Sequence, residues 1–325
     1  MTEPADLFAG DRVVVRYRLG EATPADWRGD RDAARSDVTG FLVDDADPLV
    51  LERDGTRESI PRSAVTSVRL LSAKPVRNSE IRNLEHAAAL AWPGVESAWI
   101  DGWLLRAGGG FTRRANSALP LEPSARSAQS LPQIAAWYRR RDLPVLLSLP
   151  DRLMTAGVID GERGVEVQVL TADLETLLAR GASMPNLEIR LDDEPSDQWL
   201  HAYRPDADVE LARRVTTAAR GPVRFATIGT DDISAIGRAA VTAGPDGVAR
   251  LGLTALWTAP DRRRSGLAGA VARRLVEWGA AEGAASAYVQ VETTNRVAGA
   301  WYRRWGFALH HTAHYLTPTI EGNAI

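Results

Sequence analysis

The run LTALWTAPDRRRSGLAG, residues 253 to 269, limits the possible folds more than any other stretch. A strand, a proline stop, an arginine cluster and a glycine-opened helix follow one another there without a gap. Leu253 to Trp257 are apolar enough for a strand buried on both faces, and Pro260, lacking a backbone donor, ends its pairing. From Leu267 the apolar side chains fall at Leu267, Val271, Leu275 and Trp278, one face of a helix that stops at Gly283. A helix starting so soon after a buried strand aims its first-turn amides, at the positive end of its dipole, beyond the strand end. Gly266 and Ala268 place almost no side chain in the way, and Arg262, Arg263 and Arg264 add positive charge at the rim. Phosphate oxygens suit such a place, although guanidinium groups beside a helix start are also common as plain solvated surface.

A second pattern lies downstream, where a short strand, Ala287 to Val291, is followed by NRVAGAWYRRWGF, residues 295 to 307. The spacing Arg263-x-x-Gly266-x-Ala268 resembles the pyrophosphate motif of the GNAT superfamily of N-acetyltransferases, Gln/Arg-x-x-Gly-x-Gly/Ala. The second run matches the same superfamily's Asn-x-x-Ala-x-x-x-Tyr-x-x-x-Gly-Phe, and the two stand in the expected order. The resemblance implies acetyl-CoA as co-substrate and no metal. It places the pyrophosphate over Arg263, Arg264, Ser265, Gly266, Leu267, Ala268 and Gly269. The pantetheine arm would run beside Leu256, Trp257 and Thr258, with Asn295 close by. It further implies direct attack of an acceptor amine on the thioester within a ternary complex. A backbone amide of the same strand would stabilise the oxyanion, and Tyr302 would act as general acid toward the leaving thiolate.

Each of these residues also has an ordinary structural reading. Asn295 can cap the helix that follows it, Val297, Ala298, Trp301 and Trp305 read as that helix's buried stripe, and Tyr302 beside the stripe would be packing. The general base is harder to find, because the strand before the phosphate loop carries no carboxylate. Glu292, at the end of the strand YVQVE with Gln290 on the same side, is the candidate base. Its alternative roles are facing solvent or holding the adjacent loop.

Upstream, residues 1–73 read as short strands separated by turn residues, with Val13, Val15 and Tyr17 on one face and a hairpin signal at Asp54-Gly55. The strand pattern resembles a small all-β SH3-like barrel, read as a packing or interaction module that offers a surface for a protein partner. Residues 72 to 78, with Pro75, read as a linker. Residues 76–180 run helix, strands, helix, strand, with Ser79 as a helix cap and Ile81, Leu84, Ala88 and Trp92 on the apolar face. That is a GNAT-like half without a glycine in the loop EPSARSAQSLPQ, hence degenerate. The pentapeptide AWYRR occurs in both halves, at 136 and at 300, but out of order relative to the strands, so it is no repeat. Residues 186–325 read as the complete GNAT domain, with a hairpin turn at 244 to 247. The fold class expected is mixed α/β, tandem-like, behind an all-β module.

Composition excludes other chemistries. No cysteine is present, which removes disulfides, thiolate metal sites and a cysteine nucleophile. The net charge of −3 is spread along the chain, giving no footprint for nucleic acid. No apolar run spans a membrane, and the N-terminus MTEPADLFAGDR is polar, so the expected location is cytoplasmic. His310, His311 and His314 sit in a strand whose rise separates 310 from 314 by about 13 Å, too far to share one ion, and read as exposed or partly packed. The acceptor expected is a primary amine of a small molecule or amino acid, with a protein lysine or N-terminus as the alternative. A non-catalytic acyl-CoA-binding protein is the rival class, favoured by the missing strand carboxylate and opposed by Tyr302.

Overall fold

The computed structural model describes residues 7–26, 29, 33–125, 128–154, 157–180, 187–230 and 232–320. The front of the chain is a five-stranded antiparallel sheet in the order β4-β3-β2-β1-β5. Its strands are β1 (Arg12–Arg18), β2 (Arg35–Asp44), β3 (Leu49–Arg53), β4 (Thr56–Ile60) and β5 (Val65–Leu70). Alternation in β1 buries Val13, Val15 and Tyr17 as the pattern predicts. The two edge strands, β4 and β5, are joined by a 3-10 turn at Arg62–Ala64.

Helix α1 (Asn78–Ala91) follows the linker. It starts one residue before Ser79, and the carboxylate of Glu80 accepts from the Arg77 amide at 2.6 Å, so Ser79 lies inside the helix and not at its cap. A three-stranded sheet comes next, β6 (Glu96–Ile100), β7 (Trp103–Ala107) and the short β8 (Leu119–Pro120). Between β7 and β8, Arg114–Asn116 form a 3-10 turn. The Asn116 side chain accepts from the amides of Gly108 and Gly110 at 2.8 and 3.0 Å, which holds the loop shut.

The remaining elements are α2 (Leu131–Arg139), β9 (Leu147–Pro150), β10 (Gly161–Asp173), α3 (Leu174–Arg180), β11 (Arg190–Asp192), α4 (Asp197–Tyr203), α5 (Val209–Thr217), β12 (Val223–Ile228), β13 (Ala235–Ala243) and β14 (Ala249–Thr258). They end with α6 (Leu267–Ala281), β15 (Ser286–Glu292), α7 (Arg296–Trp305) and β16 (Ala308–Pro318). The strands form one eight-stranded sheet, ordered β11-β12-β13-β14-β15-β10-β16-β9. β9 and β10 belong to the segment read as the first half, yet β10 is paired antiparallel on one side with β15 and on the other with β16. The boundary expected near 180 to 186 falls at residues outside the described set, and the strands on its two sides share this one sheet.

Neighbouring residues of β13 point to opposite faces and show how the helices are distributed. A Cβ on Gly237 would meet Val271 and Leu275 of α6 at 2.6 and 3.0 Å. Arg238, fully buried, reaches the other way. Its Nη2 donates to the Ala91 carbonyl of α1 at 2.8 Å and its Nε to the Thr216 carbonyl of α5 at 2.7 Å. So α6 lies on one face, with α3 and α7 packed into the same core, and α1, α4 and α5 lie on the other. The front sheet is anchored to α7 by the ion pair of Asp11 with Arg303, whose guanidinium also stands 4.6 Å over the Phe8 ring. No helix among the described residues is long and apolar enough to cross a membrane.

Candidate active site

The site begins as a gap in the large sheet. β14 and β15 are parallel neighbours, but only Arg250, Leu251 and Gly252 pair, with Ser286, Ala287 and Tyr288. Beyond that rung β15 continues to Glu292 along β10, and β14 continues to Thr258 along β13, so the two strands diverge and leave their facing edges open. A bulge in β14 bends it away. Two residues, Ala255 and Leu256, stand against Gly237 alone, and Ala255 has a positive φ of 53°. A Cβ on Gly237 would lie 2.7 Å from Leu256 Cδ2, so a larger residue there would press on the bulge. Thr258 Oγ1, at the end of the divergent segment, is buried and has no hydrogen-bond partner.

Past the strand end, Pro260–Arg262 form a 3-10 turn, and Gly266, at φ 87°, is the residue before the first turn of α6. A left-handed conformation at that position suits glycine, and the amides of Leu267, Ala268 and Gly269 are the first-turn donors a helix leaves open. Arg263, Arg264 and Ser265 are exposed around them. Leu256, Leu267, Ala298 and Trp301 are only partly buried along the adjoining core, an apolar edge between the diverging strand, α6 and α7. An orphaned hydroxyl, free amides with arginines beside them, and a partly open apolar strip fit a ligand with an amide-bearing arm and a diphosphate.

Asn295 caps α7, its side chain accepting from the Ala298 amide at 3.2 Å. The stripe expected on α7 is rotated. Val297 is 81% exposed, whereas Tyr302 is buried with Trp301 and Phe307 at ring distances of 4.7 and 5.4 Å. Burial pushes the Tyr302 phenol up from its ordinary pKa, so it stays protonated well above neutral pH. Glu292 is 44% exposed at its side chain and forms an ion pair with Arg113 of the loop after β7. Arg113 thus faces the site.

On the α1 face a cavity of 380 Å³ lies against the part of β15 that β14 leaves unpaired, at Gln290 and Glu292. Arg106, Arg113, Arg114 and Arg204 line it, with Glu85, Gln290, Glu292 and Tyr315. Arg106 is buried and donates to Ser117 Oγ at 2.9 Å and the Trp92 carbonyl at 3.3 Å. Arg114 has a buried Nε without a partner, and its charge bears on Tyr302 and on Tyr288, side chains from opposite faces of the sheet. A second and larger cleft of 1380 Å³ meets the first at Glu292 and His314 and runs out past β5, the linker and α7. Among the described residues no three His, Asp, Glu or Cys side chains are grouped to hold a metal ion. His311, expected to be exposed or partly packed, is buried and bonded to Glu85, because a bulge between β10 and β16 turns it under α1.

Glu85, Arg106, Arg204 and Tyr315 of this cavity were not read as site residues from the sequence. Glu85 had a visible signal, a carboxylate one position from Leu84 and four from Ile81, inside the apolar face of α1.

Comparison with known proteins bears on this geometry. A family model described as "Probable histone acetyltransferase Rv0428c C-terminal" matches residues 78–316. The chain is 39% identical over 316 residues to the "Probable histone acetyltransferase Rv0428c" of Mycobacterium tuberculosis (strain ATCC 25618 / H37Rv), covering 96% of each. It belongs to the GNAT acetyltransferases. A second GNAT-type relative, the "Uncharacterized N-acetyltransferase YobR" of Bacillus subtilis (strain 168), is 26% identical over 73% of this chain and 98% of its own. The fold agrees with that of a GCN5-related N-acetyltransferase from Kribbella flavida, at a TM-score of 0.53 and 14% identity, covering 77% of this chain and 99% of that one. The GNAT family model begins at residue 78, so it leaves out the front sheet, whereas the mycobacterial relative spans nearly the whole chain.

Proposed function

We propose that this acetyltransferase moves the acetyl group of acetyl-CoA to the primary amine of a small molecule that also carries an anionic group, an amino acid being the class that fits. The observation that carries the reading is the gap between β14 and β15, with the α6 N-terminus past the end of β14 and an arginine-lined cavity of 380 Å³ against the unpaired part of β15. Pyrophosphate sits on the amides of Leu267, Ala268 and Gly269 with Arg263 and Arg264 at the rim, and the pantetheine arm lies along Leu256, Trp257 and Thr258. The thioester reaches the cavity through the gap. The amine attacks the carbonyl carbon directly, a β14 amide receives the developing oxyanion, and Tyr302 gives its proton to the departing thiolate. Asn295 holds the α7 N-terminus beside the arm. Arg114 and Arg204 take the acceptor's anionic group, for which bidentate guanidinium pairing is well suited.

A protein lysine is the second reading. It is favoured by the name of the mycobacterial relative and by the larger cleft, which is long enough for an extended segment and has β5 of the front sheet along its wall. Thiol release from acetyl-CoA separates the two. Amino acids and other anionic amines should outpace both uncharged alkylamines and histone-tail peptides in kcat/KM. Turnover of peptides alone would overturn the small-molecule reading.

A further inference from the structure

Glu85 is 2% exposed, in the middle of α1, on the face that covers the sheet. Its Oε1 accepts from Gln290 Nε2 at 3.3 Å and lies 3.0 Å from Nε2 of His311, while Nδ1 of His311 lies 2.8 Å from Nδ1 of His310. These contacts assign the protons. An ionised carboxylate only accepts, so His311 donates from Nε2, and with His310 neutral and accepting at its Nδ1, His311 donates from Nδ1 as well, as an imidazolium paired with Glu85. Burial, with His311 beside it, drives the His310 pKa down to about 4, which keeps that ring neutral as the chain of bonds needs. Burial works to raise the Glu85 carboxyl, but the His311 bond and the charges of His311 and Arg106 outweigh it and hold the carboxyl below its ordinary range. The other groups facing this chain are Tyr288 and Tyr315 toward Glu85, and Glu80 and Arg250 toward His310.

We propose that Glu85 is the base that takes the proton of the acceptor's ammonium group, with His311 and His310 as the residues that position it. The proposal rests on the acetyltransferase reading above. Position supports it first. Gln290 stands two residues past Tyr288, the last residue of β15 paired with β14, so the carboxylate bonded to Gln290 lies beside the gap, and Glu85 lines the acceptor cavity. Elimination supports it second, since β14 carries no carboxylate and Glu292 is half exposed and bound to Arg113. Both bonds to Glu85 go to Oε1, leaving Oε2 for the substrate. In the step, an N–H bond of the ammonium breaks, the proton bonds to Oε2, and the electron pair left on nitrogen forms the bond to the thioester carbon. The C–S bond then breaks with its pair on sulfur, which takes the Tyr302 proton, and the second proton that nitrogen releases as the amide forms restores the phenol. The proton on Oε2 leaves to solvent when the amide product, no longer basic, vacates the cavity.

The test compares two nucleophiles. An alkylamine is protonated at neutral pH and needs a base, whereas hydroxylamine is already largely unprotonated and does not. Glu85→Gln should lower kcat with the alkylamine by about 10²-fold or more and with hydroxylamine by less than about tenfold, leaving acetyl-CoA affinity unchanged. His311→Gln keeps a donor to Oε1 but removes the imidazole, so the acid limb of kcat/KM for the alkylamine should move to higher pH. Equal losses with both nucleophiles, or none, in a folded Glu85→Gln variant would overturn the proposal. If that variant does not fold, an unmoved acid limb in His311→Gln overturns it. A wild-type protein inert on every primary amine fails earlier, and removes the acceptor reading itself.

Discussion

At the scale of single residues, the account assigns the acid and the base to opposite faces of one sheet. Tyr302 stands among aromatics on the α6 and α7 face, with its phenol kept protonated by burial. Tyr302→Phe keeps the ring and its packing, so acetyl-CoA affinity should hold while turnover falls about 10²-fold. Calorimetry and thiol release on the same preparation check both halves, and wild-type turnover would reduce Tyr302 to packing. Glu85 makes a pH prediction for stability. Its folded carboxyl is held below the unfolded value, so the unfolded chain binds the proton first as pH falls. The stabilisation is complete above the ordinary carboxylate range and is lost as pH drops through the folded value. Melting curves of Glu85→Gln should therefore be flatter with pH on the acid side than those of the wild type, and parallel curves would contradict the assignment. Tyr302 was legible in the sequence because its motif is local. Glu85 left only its place on the apolar face of α1 as a signal, because what marks a buried carboxylate is its partners, here some two hundred residues away in the chain, Gln290 and His311.

Elements set where those residues meet. The strand, the turn and the helix from 249 to 281 follow the local sequence closely, since a proline, a left-handed glycine and an apolar helix face each act within a few residues. The rotation of α7 was not legible. Its two tryptophans, Trp301 and Trp305, share one side of the wheel, 5.4 Å apart, and Val297 and Tyr302 flank that side, so spacing alone does not say which of the two turns inward. The bulge of β14 was likewise hidden, for it depends on Gly237 of another strand. Gly237→Ala sets a Cβ 2.6 Å from Val271 and 2.7 Å from Leu256. It should cost about 1–3 kcal/mol of stability by overpacking, and the shifted bulge should weaken acetyl-CoA binding. Denaturant unfolding with unchanged midpoint and affinity would show that the bulge does not depend on that glycine.

For the whole molecule, pairing order in the sheet was the least legible feature. The sequence shows β10 as a strand but not that it lies between β15 and β16, because a strand's neighbours are chosen by tertiary packing and not by its own residues. The front sheet is tied to α7 through Asp11 and Arg303, side chains 16% and 8% exposed. Asp11→Ala should speed hydrogen exchange in β1 and β2 and expose the linker at 72 to 77 to proteolysis, without changing acetyl-CoA affinity. Unaltered exchange would place the anchorage elsewhere. The central claim is one acetyl-CoA site per chain, built on the gap between β14 and β15 and the start of α6. Titration calorimetry of acetyl-CoA into the wild type and into Gly266→Glu tests it most directly, because glutamate adds bulk and like charge where phosphate must approach backbone amides. The account predicts one site per wild-type chain and no measurable binding to a variant with wild-type circular dichroism. A stoichiometry of two, or unchanged affinity in the folded variant, would contradict it.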